Sequence, residues 1–339
     1  MATSSVIVVG AGVAGLACAL ELAERGLAVE VVERGRVLGD GSCSWMAGGM
    51  LAPWCERATT EPEVVTWGAP SIAWWAERFP GTVQNGSLVV AQSRDAPDLA
   101  RFAARTERLE WADAERIAAL EPDLAGRFRR ALFFPDEAHL DPRRALASLA
   151  DTLRARGVAI RFGVELDPTA ADVDIVVDCR GLAARDALTD LRGVRGEMIV
   201  VRTSDVSLAR PVRMLHPRLP LYIVPRGDGL FMIGATMIES ERRGPPSVRS
   251  AVELLNAAYA LHPAFGEAEI VELGADLRPA FPDNLPQMRR TGRVLHANGL
   301  FRHGFLLAPA LAKRVADAIL DPTFKSETPD ADLPQRRRA

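Results

Sequence analysis

Three glycines near the start of the chain have the spacing of a phosphate-binding turn. Gly10, Gly12 and Gly15 form the pattern G-x-G-x-x-G directly after the apolar run 6–9. In such a turn the first glycine permits a sharp bend, the second lets the backbone approach a pyrophosphate, and the third allows close helix–strand packing. Glu33 stands at the end of the second predicted strand, where a carboxylate can accept hydrogen bonds from ribose hydroxyls. A carboxylate at this position disfavours a 2′-phosphate, so NADP is not expected. The pattern predicts a dinucleotide site without separating NAD from FAD.

Other cofactor chemistries lack the residues that they need. Lysine occurs only at Lys313 and Lys325, and no Gly-Lys-Ser/Thr sequence is present, so the sequence excludes a P-loop and gives no convincing Schiff-base lysine. The cysteines form no C-x-x-C pair, and no two histidines have metal-ligand spacing. We therefore expect no metal site.

Composition limits the class of protein. The 339 residues are 48% hydrophobic and 25% charged, with a net charge of −3. This length can bury a large core in one domain or in two intertwined ones. No apolar run reaches the ~18 residues of a membrane helix, and the charge gives no reason to expect nucleic-acid binding. Because the first residues lack the basic region of a signal peptide, we expect a cytoplasmic protein.

The elements that position the glycine turn follow from the apolar pattern. Residues 4–9 predict a buried parallel strand, 13–25 a helix and 28–32 a second strand, which together make a βαβ unit. Further buried strands are predicted at 173–181 and 292–299. Parallel strands thus come from both ends of the chain.

The middle of the chain has a different pattern. From residue 196, short apolar runs between turn residues predict an antiparallel sheet, whereas the charged stretch 94–130 predicts helices. The fold class is therefore α/β: a Rossmann-like dinucleotide-binding domain with a central parallel sheet and an interleaved antiparallel-sheet substrate domain. The predicted limits are 1–85, 136–190 and 272–321 for the first domain, 86–135 and 191–271 for the second, and 322–339 for a polar tail.

Five sequence blocks carry a resemblance to a known family. They read SWMAGGMLAPWCE, LRGVRGEMIVV, LYIVPRGDGLFMIGATMIE, LRPAFPDNLP and NGLFRHGFLLAPALAKRVADAI. In this order and spacing the chain resembles the FAD-dependent glycine oxidases of thiamine biosynthesis, in the D-amino-acid oxidase superfamily, and especially their rhizobial form. The resemblance runs from the first strand to about residue 320, and it implies that the Rossmann-like domain binds FAD.

The resemblance also assigns substrate-binding residues. Arg278 of the LRP block corresponds to the arginine that grips the substrate carboxylate, which a guanidinium binds in bidentate fashion. Arg302 of the FRHG block lies near substrate and flavin in the family, and Tyr222 lines the pocket. Met237 is expected near the active site, with core packing as its alternative interpretation. His303 is expected to touch the flavin through its backbone, and no side chain is assigned as a catalytic acid or base.

The cofactor-binding residues implied by the resemblance lie in the glycine turn, after the second strand and before the last helix. They are Gly10, Gly12, Val13, Ala14, Gly15, Glu33, Arg34, Cys43, Ser44, Gly48, Gly49, Met50, Val164, Gly181, Leu300, Phe301, Arg302, His303, Gly304, Phe305 and Leu306. In the family the N-terminus of the last helix points at the flavin pyrimidine ring and stabilises negative charge there. Since no cysteine follows Cys179, we expect non-covalent FAD. Cys179 itself is interpreted as a packed thiol.

The implied reaction is the oxidation of glycine, or a similar small amino acid, to its imine. The imine is then hydrolysed to glyoxylate and ammonia, or passed to the thiazole synthase, while O₂ is reduced to H₂O₂. Two alternatives stay open: a sarcosine or D-amino-acid oxidoreductase of the same superfamily, and a flavoprotein accessory subunit without independent turnover. The sequence leaves the oligomeric state and the physiological electron acceptor open, and a homo-oligomer is compatible with it.

Overall fold

The computed structural model describes residues 5–216 and 220–321, so the predicted polar tail 322–339 lies outside the described residues. The strands are β1 (Ser5–Val9), β2 (Ala28–Glu33), β3 (Met50–Leu51), β4 (Ser87–Ala91), β5 (Glu110–Asp113), β6 (Arg130–Phe134), β7 (Ala138–His139), β8 (Ala159–Phe162), β9 (Ile175–Asp178), β10 (Arg192–Arg202), β11 (Val212–Leu215), β12 (Leu221–Pro225), β13 (Leu230–Gly234), β14 (Glu269–Ala280), β15 (Gln287–Thr291) and β16 (Val294–Asn298). The α-helices are α1 (Val13–Glu24), α2 (Pro53–Glu56), α3 (Pro62–Arg78), α4 (Ala96–Ala103), α5 (Ala114–Leu120), α6 (Pro142–Ala155), α7 (Val248–Leu261) and α8 (Gly304–Leu320).

The chain divides into two compact units that interleave along the sequence. Unit 1 contains residues 5–45, 143–193 and 278–321, and unit 2 contains residues 46–142, 194–216 and 220–277. Which stretches serve the cofactor and which the substrate, as assigned from the sequence, stays a prediction. Among the described residues, every helix is too short or too polar to span a bilayer.

Unit 1 is built on a six-stranded sheet of order β15-β16-β9-β1-β2-β8. Strand β1 lies in its interior, parallel to both β2 and β9, and Val6 is in register with Val29 and Ile175. Strands β8 and β16 continue the parallel arrangement, and only β15 is antiparallel. The valine-rich central strands suit a sheet that is covered on both faces, and helices α1 and α8 pack together. The predicted parallel sheet is confirmed.

Unit 2 is built on an eight-stranded sheet of order β14-β10-β13-β12-β11-β4-β6-β5. From β10 to β11 and from β4 to β5 its neighbouring strands pair antiparallel, as predicted, whereas β4 runs parallel to β11. One face buries Leu221 and Ile223 against Leu254 and Leu261 of α7. The opposite face carries the cluster of Met198, Val200 and Met232, against which Tyr222 packs. The α/β fold class predicted from the sequence is thereby confirmed.

The prediction of helices throughout 94–130 is only partly right. Helices α4 and α5 lie there, but β5 forms between them and pairs with β6. In β5 only Ala112 is buried, while its neighbours Glu110, Trp111 and Asp113 are exposed. A strand with a single buried residue gives no alternating apolar pattern, so the sheet recruits it through backbone pairing that the sequence does not display.

Two glycines bring helix α1 close to the turn that follows β1. Gly10 has a φ of +107°, and a Cβ there would lie 2.6 Å from the carbonyl oxygen of Cys179. A Cβ on Gly15 would overlap the carbonyl oxygen of Gly10. Both positions therefore require glycine for steric reasons, as the spacing of the pattern predicts.

We predict that Gly15→Ala lowers the free energy of unfolding by about 3 kcal/mol, because the new methyl group forces α1 away from the turn. Gly26→Ala is the matched control, since Gly26 follows the same helix with φ +85° but has nothing within 4 Å of its built Cβ. It should cost only about 1 kcal/mol of backbone strain. Urea unfolding of both variants measures the difference, and equal losses would contradict the steric account.

Candidate active site

The N-terminus of α1 is lined by two serine hydroxyls. Val13 N donates to Ser44 Oγ at 3.1 Å. A Cβ on Gly12 would lie 3.3 Å from Ser42 Oγ and 3.4 Å from Ser44 Oγ, so the space beside Gly12 is bounded by hydroxyl groups and the helix N–H groups. This arrangement fits a phosphate, which accepts hydrogen bonds from both kinds of donor. Sequence reasoning predicted Ser44 and missed Ser42.

Glu33 ties the end of β2 to the glycine turn. Its Oε2 accepts a hydrogen bond from Ala11 N at 2.7 Å, and its Oε1 accepts one from Gly35 N at 2.7 Å. Val164 N in turn donates to the backbone oxygen of Glu33 at 3.0 Å. A carboxylate has about four acceptor positions, so Glu33 retains capacity for ribose hydroxyls. The structure brings Glu33 and Val164 together; Arg34 lies exposed beside them.

The N-terminus of α8 meets that of α1. A Cβ on Gly304, the first residue of α8, would lie 3.4 Å from Val13 Cγ1. His303 N donates to Leu300 O at 2.9 Å in the turn that leads into the helix, where Phe301 has a φ of +48°. Each helix N-terminus carries a partial positive charge of about half a unit, so the two together favour an anionic ligand.

The two predicted substrate arginines lie on neighbouring segments of unit 1. Phe301 N donates to Pro279 O at 3.0 Å. Arg278 and Arg302 each stand one residue from this bond, Arg278 half-buried and Arg302 exposed. The bond therefore joins two of the sequence blocks that carry the family resemblance.

A buried charged network lies where β9 and β16 end. Asp178 is fully buried and accepts hydrogen bonds from Arg180 Nε at 2.9 Å and from His296 Nδ1 at 2.9 Å. Burial alone would raise the pKa of Asp178, but the hydrogen bonds from His296 and Arg180 outweigh it and hold the pKa below its ordinary value. Beside the network, Asn298 Nδ2 donates to Gly181 O at 2.8 Å. Sequence reasoning found Gly181 but missed the network around it.

Cys179 lies beside the glycine turn with its thiol against Cys18. Both side chains are buried, and a hydrogen bond with Cys18, together with burial, raises the pKa of the Cys179 thiol. A buried thiol with a raised pKa is unreactive, which agrees with its interpretation as a packed residue. Within residues 5–216 and 220–321, no three His, Cys, Asp or Glu side chains cluster as metal ligands.

Unit 2 holds the other predicted residues around Tyr222. Its ring lies between two glycines, because a Cβ on Gly48 or on Gly234 would each come within 2.9 Å of Tyr222 Cε2. Met50 pairs with β7. Met237 is 59% exposed, so it is not part of the core of unit 2 and its alternative interpretation is wrong.

Comparison with known proteins gives the family. The family described as FAD dependent oxidoreductase, or DAO, matches residues 5–318. A Rhizobium etli protein assigned as the thiamine biosynthesis oxidoreductase ThiO is 57% identical over 93% of this chain and 96% of its own length. The bifunctional protein ThiO/ThiG of Synechocystis is 26% identical over 94% of this chain and 52% of its own length. The crystal structure of glycine oxidase from Geobacillus kaustophilus superposes with a TM-score of 0.78 at 27% identity, covering 93% of this chain and 94% of that one.

The chain therefore belongs to the family of FAD-dependent oxidoreductases. FAD is its cofactor. The serine-lined space at Gly12 fits the pyrophosphate of that cofactor, and Glu33 fits its ribose. The resemblance stated from the sequence is confirmed.

We predict that Glu33→Gln weakens FAD binding by about tenfold, because an amide loses one of the two acceptors that hold the turn and the ribose. Glu30→Gln is the control, since Glu30 lies on the same strand but forms an ion pair with Arg161 instead. Titration of each apoprotein with FAD, followed by quenching of flavin fluorescence, measures the affinity. An unchanged affinity in Glu33→Gln would show that this carboxylate does not serve the cofactor.

Proposed function

We propose that the protein oxidises glycine, or a similar small amino acid, to its imine with O₂ as electron acceptor. The imine is hydrolysed to glyoxylate and ammonia, and O₂ leaves as H₂O₂. The observation that carries this proposal is the bond between Phe301 and Pro279, which places Arg278 and Arg302 on adjacent segments. The 57% identity to the ThiO-assigned protein and the 27% identity to a glycine oxidase support it.

Substrate binding follows from the chemistry of a small amino acid. Glycine has no side chain to grip, so its carboxylate and its amine must supply the orientation. Arg278 is half-buried, where a bidentate guanidinium–carboxylate pair is stronger than in open water. In this proposal Arg278 binds the carboxylate, and Arg302 and Tyr222 are further substrate-binding residues, as the family resemblance implies.

The protein supplies orientation and electrostatics to the oxidation. When bound, FAD would supply the electron sink for the two-electron oxidation of the substrate and for the reduction of O₂ to H₂O₂. In this proposal the N-terminus of α8 favours negative charge beside it and so stabilises the charge that reduction generates. No protein base is required when the amine arrives uncharged, which agrees with a site to which no acid or base is assigned.

The first experiment is the visible spectrum of the purified protein before and after anaerobic glycine. A flavin spectrum that bleaches supports both the cofactor and the substrate. Bleaching by sarcosine or a small D-amino acid but not by glycine would move the substrate to the alternative oxidoreductases. A spectrum that no amino acid changes would favour the accessory subunit.

We predict that Arg278→Ala raises KM for glycine by about 100-fold while FAD stays bound, because two charge-assisted hydrogen bonds are lost. Arg278→Lys should have a KM between those of the wild type and Arg278→Ala, since lysine keeps the charge but not the planar guanidinium group. Arg290→Ala is the control, because Arg290 is exposed and its Nε bonds only the carbonyl of Gly292. O₂ consumption against glycine concentration gives KM, and an unchanged KM in Arg278→Ala would refute the carboxylate assignment.

We predict that kcat/KM for glycine rises between about pH 6.5 and pH 8, because a growing fraction of the substrate amine is uncharged. The measurement is initial O₂ consumption at low glycine across this range. Because the pH profile of kcat/KM should follow the ionisation of the substrate amine, a substrate whose amine has a different pKa should shift the profile along the pH axis. A flat profile would indicate that a group of the protein removes the amine proton.

The product also suggests a partner. The bifunctional ThiO/ThiG protein carries a sequence similar to this one within a longer chain, and the resemblance implies that the imine is handed to a thiazole synthase. Adding that enzyme, together with the sulfur donor and the carbon substrate that complete a thiazole ring, to a reaction with glycine should divert product from glyoxylate to thiazole. An unchanged yield of glyoxylate would argue against handover.

A further inference from the structure

The segment of unit 2 that runs from Met46 to the end of α2 crosses the face of the sheet on which Tyr222 lies. Arg226 donates to Ala47 O at 2.7 Å. Gly48 follows, and a Cβ there would lie 2.9 Å from the Tyr222 ring. Strand β3 then pairs with β7. The position of Gly48, and with it the space around Tyr222, depends on how this segment is held.

At its far end the segment is bonded to a buried carboxyl group of the sheet region, that of Glu137. Glu137 lies directly before β7 and is 1% exposed. Its Oε1 accepts a hydrogen bond from Cys55 N in α2 at 2.7 Å, and its Oε2 shares a hydrogen bond with Ser87 Oγ of β4. Glu137 therefore joins α2 to the sheet through two uncharged partners.

Charged groups close to Glu137 are few. Arg213 of β11 faces it and forms an ion pair with Glu56 of α2, with each side chain only 10% exposed. His139 of β7 is buried, and burial lowers its pKa to about 4, so it is neutral. Burial raises the pKa of Glu137 to about 8, despite the hydrogen bonds from Ser87 and Cys55 and the charge of Arg213. The carboxyl is therefore protonated at neutral pH.

We propose that Glu137 is a positioning residue: by bridging Cys55 and Ser87 it fixes the segment 46–56, and through Gly48 it fixes the ring of Tyr222. That Tyr222 contacts the substrate rests on the proposed function. That Glu137 holds the segment 46–56 does not depend on it. Ionisation of Glu137 adds a second negative charge beside the Glu56–Arg213 pair in a site closed to water. A buried charge without its own partner favours any opening that admits solvent.

The sign of the pH effect follows from proton linkage. The pKa of Glu137 is about 8 when the segment is closed, against 4.5 for a free glutamate. Between these values the closed state holds a proton that the open state has lost, so rising pH favours opening. Above about pH 8 both states are ionised and the dependence ends.

We predict that amide protection in the peptide 46–56, corrected for intrinsic exchange, falls by up to about tenfold per pH unit between about pH 5 and pH 8 and is level above. Glu137→Gln keeps the uncharged hydrogen-bonding partner, so its protection should be independent of pH. Ser87→Ala removes one partner of the carboxyl and should lower protection at every pH. Hydrogen exchange with mass spectrometry of the FAD-bound proteins measures all three.

The matched control is Glu121→Gln. Glu121 is also 1% exposed and belongs to unit 2, but it accepts a hydrogen bond from Arg210 Nε at 2.9 Å. This variant should be less stable than the wild type, while the amide protection of the peptide 46–56 should depend on pH as it does in the wild type. If Glu137→Gln keeps the wild-type pH dependence, or fails to fold, the proposal is overturned.

Binding of glycolate separates positioning from a purely structural role. Glycolate has the carboxylate of glycine and no amine, so its affinity carries no substrate titration. Perturbation of the flavin spectrum should give a Kd that rises with pH up to about pH 8 and is level above it in the wild type, and that does not depend on pH in Glu137→Gln. Identical Kd profiles would confine Glu137 to holding the segment and overturn its role toward Tyr222. If glycolate changes the flavin spectrum of neither protein while the hydrogen exchange of the peptide 46–56 is as predicted, the proposed carboxylate site is refuted. The role of Glu137 in holding the segment 46–56 would then still stand.

Discussion

The contact between the Gly10 carbonyl and Gly15 is the constraint on which the rest of unit 1 depends. With no side chain at position 15, α1 lies directly against the turn, and the N–H group of Val13, its first residue, donates to the hydroxyl of Ser44. The same approach brings Val13 against Gly304, so α8 begins beside α1. Moving α1 away from the turn would also move its N-terminus away from that of α8.

This region of the structure was predictable because its causes are local in sequence. The glycine spacing requires a tight turn, the apolar run before it requires a buried strand, and the acid at Glu33 lies at the end of the next strand. The family resemblance added Arg278 and Arg302. It did not supply the bond between Phe301 and Pro279, because that bond joins residues 22 positions apart through backbone atoms that carry no sequence signal.

The elements that escaped prediction depend on distant partners. Strand β5 exposes most of its side chains and exists because β6 offers it backbone bonds. The network of Asp178, Arg180 and His296 forms because β16 lies beside β9, and no spacing within either strand reveals that pairing. In the same way, Tyr222 could be assigned to a pocket by its sequence block, but the two glycines that confine its ring come from segments far from each other in the chain.

Burial alone does not fix the charge of an acid, and two equally buried glutamates of unit 2 illustrate why. Glu137 and Glu197 are both 1% exposed. Hydrogen bonds from Ser250 and Arg195 outweigh the burial of Glu197 and hold its pKa below the ordinary value, whereas the hydrogen bonds of Glu137 come from an amide and a hydroxyl and its pKa is raised to about 8. A carboxyl with uncharged partners retains its proton where desolvation outweighs the hydrogen bonds. Such a group can join two segments without a counter-ion, but only within the pH range in which it stays neutral. Ion pairs are therefore not the only interactions through which a buried carboxyl group can join two segments.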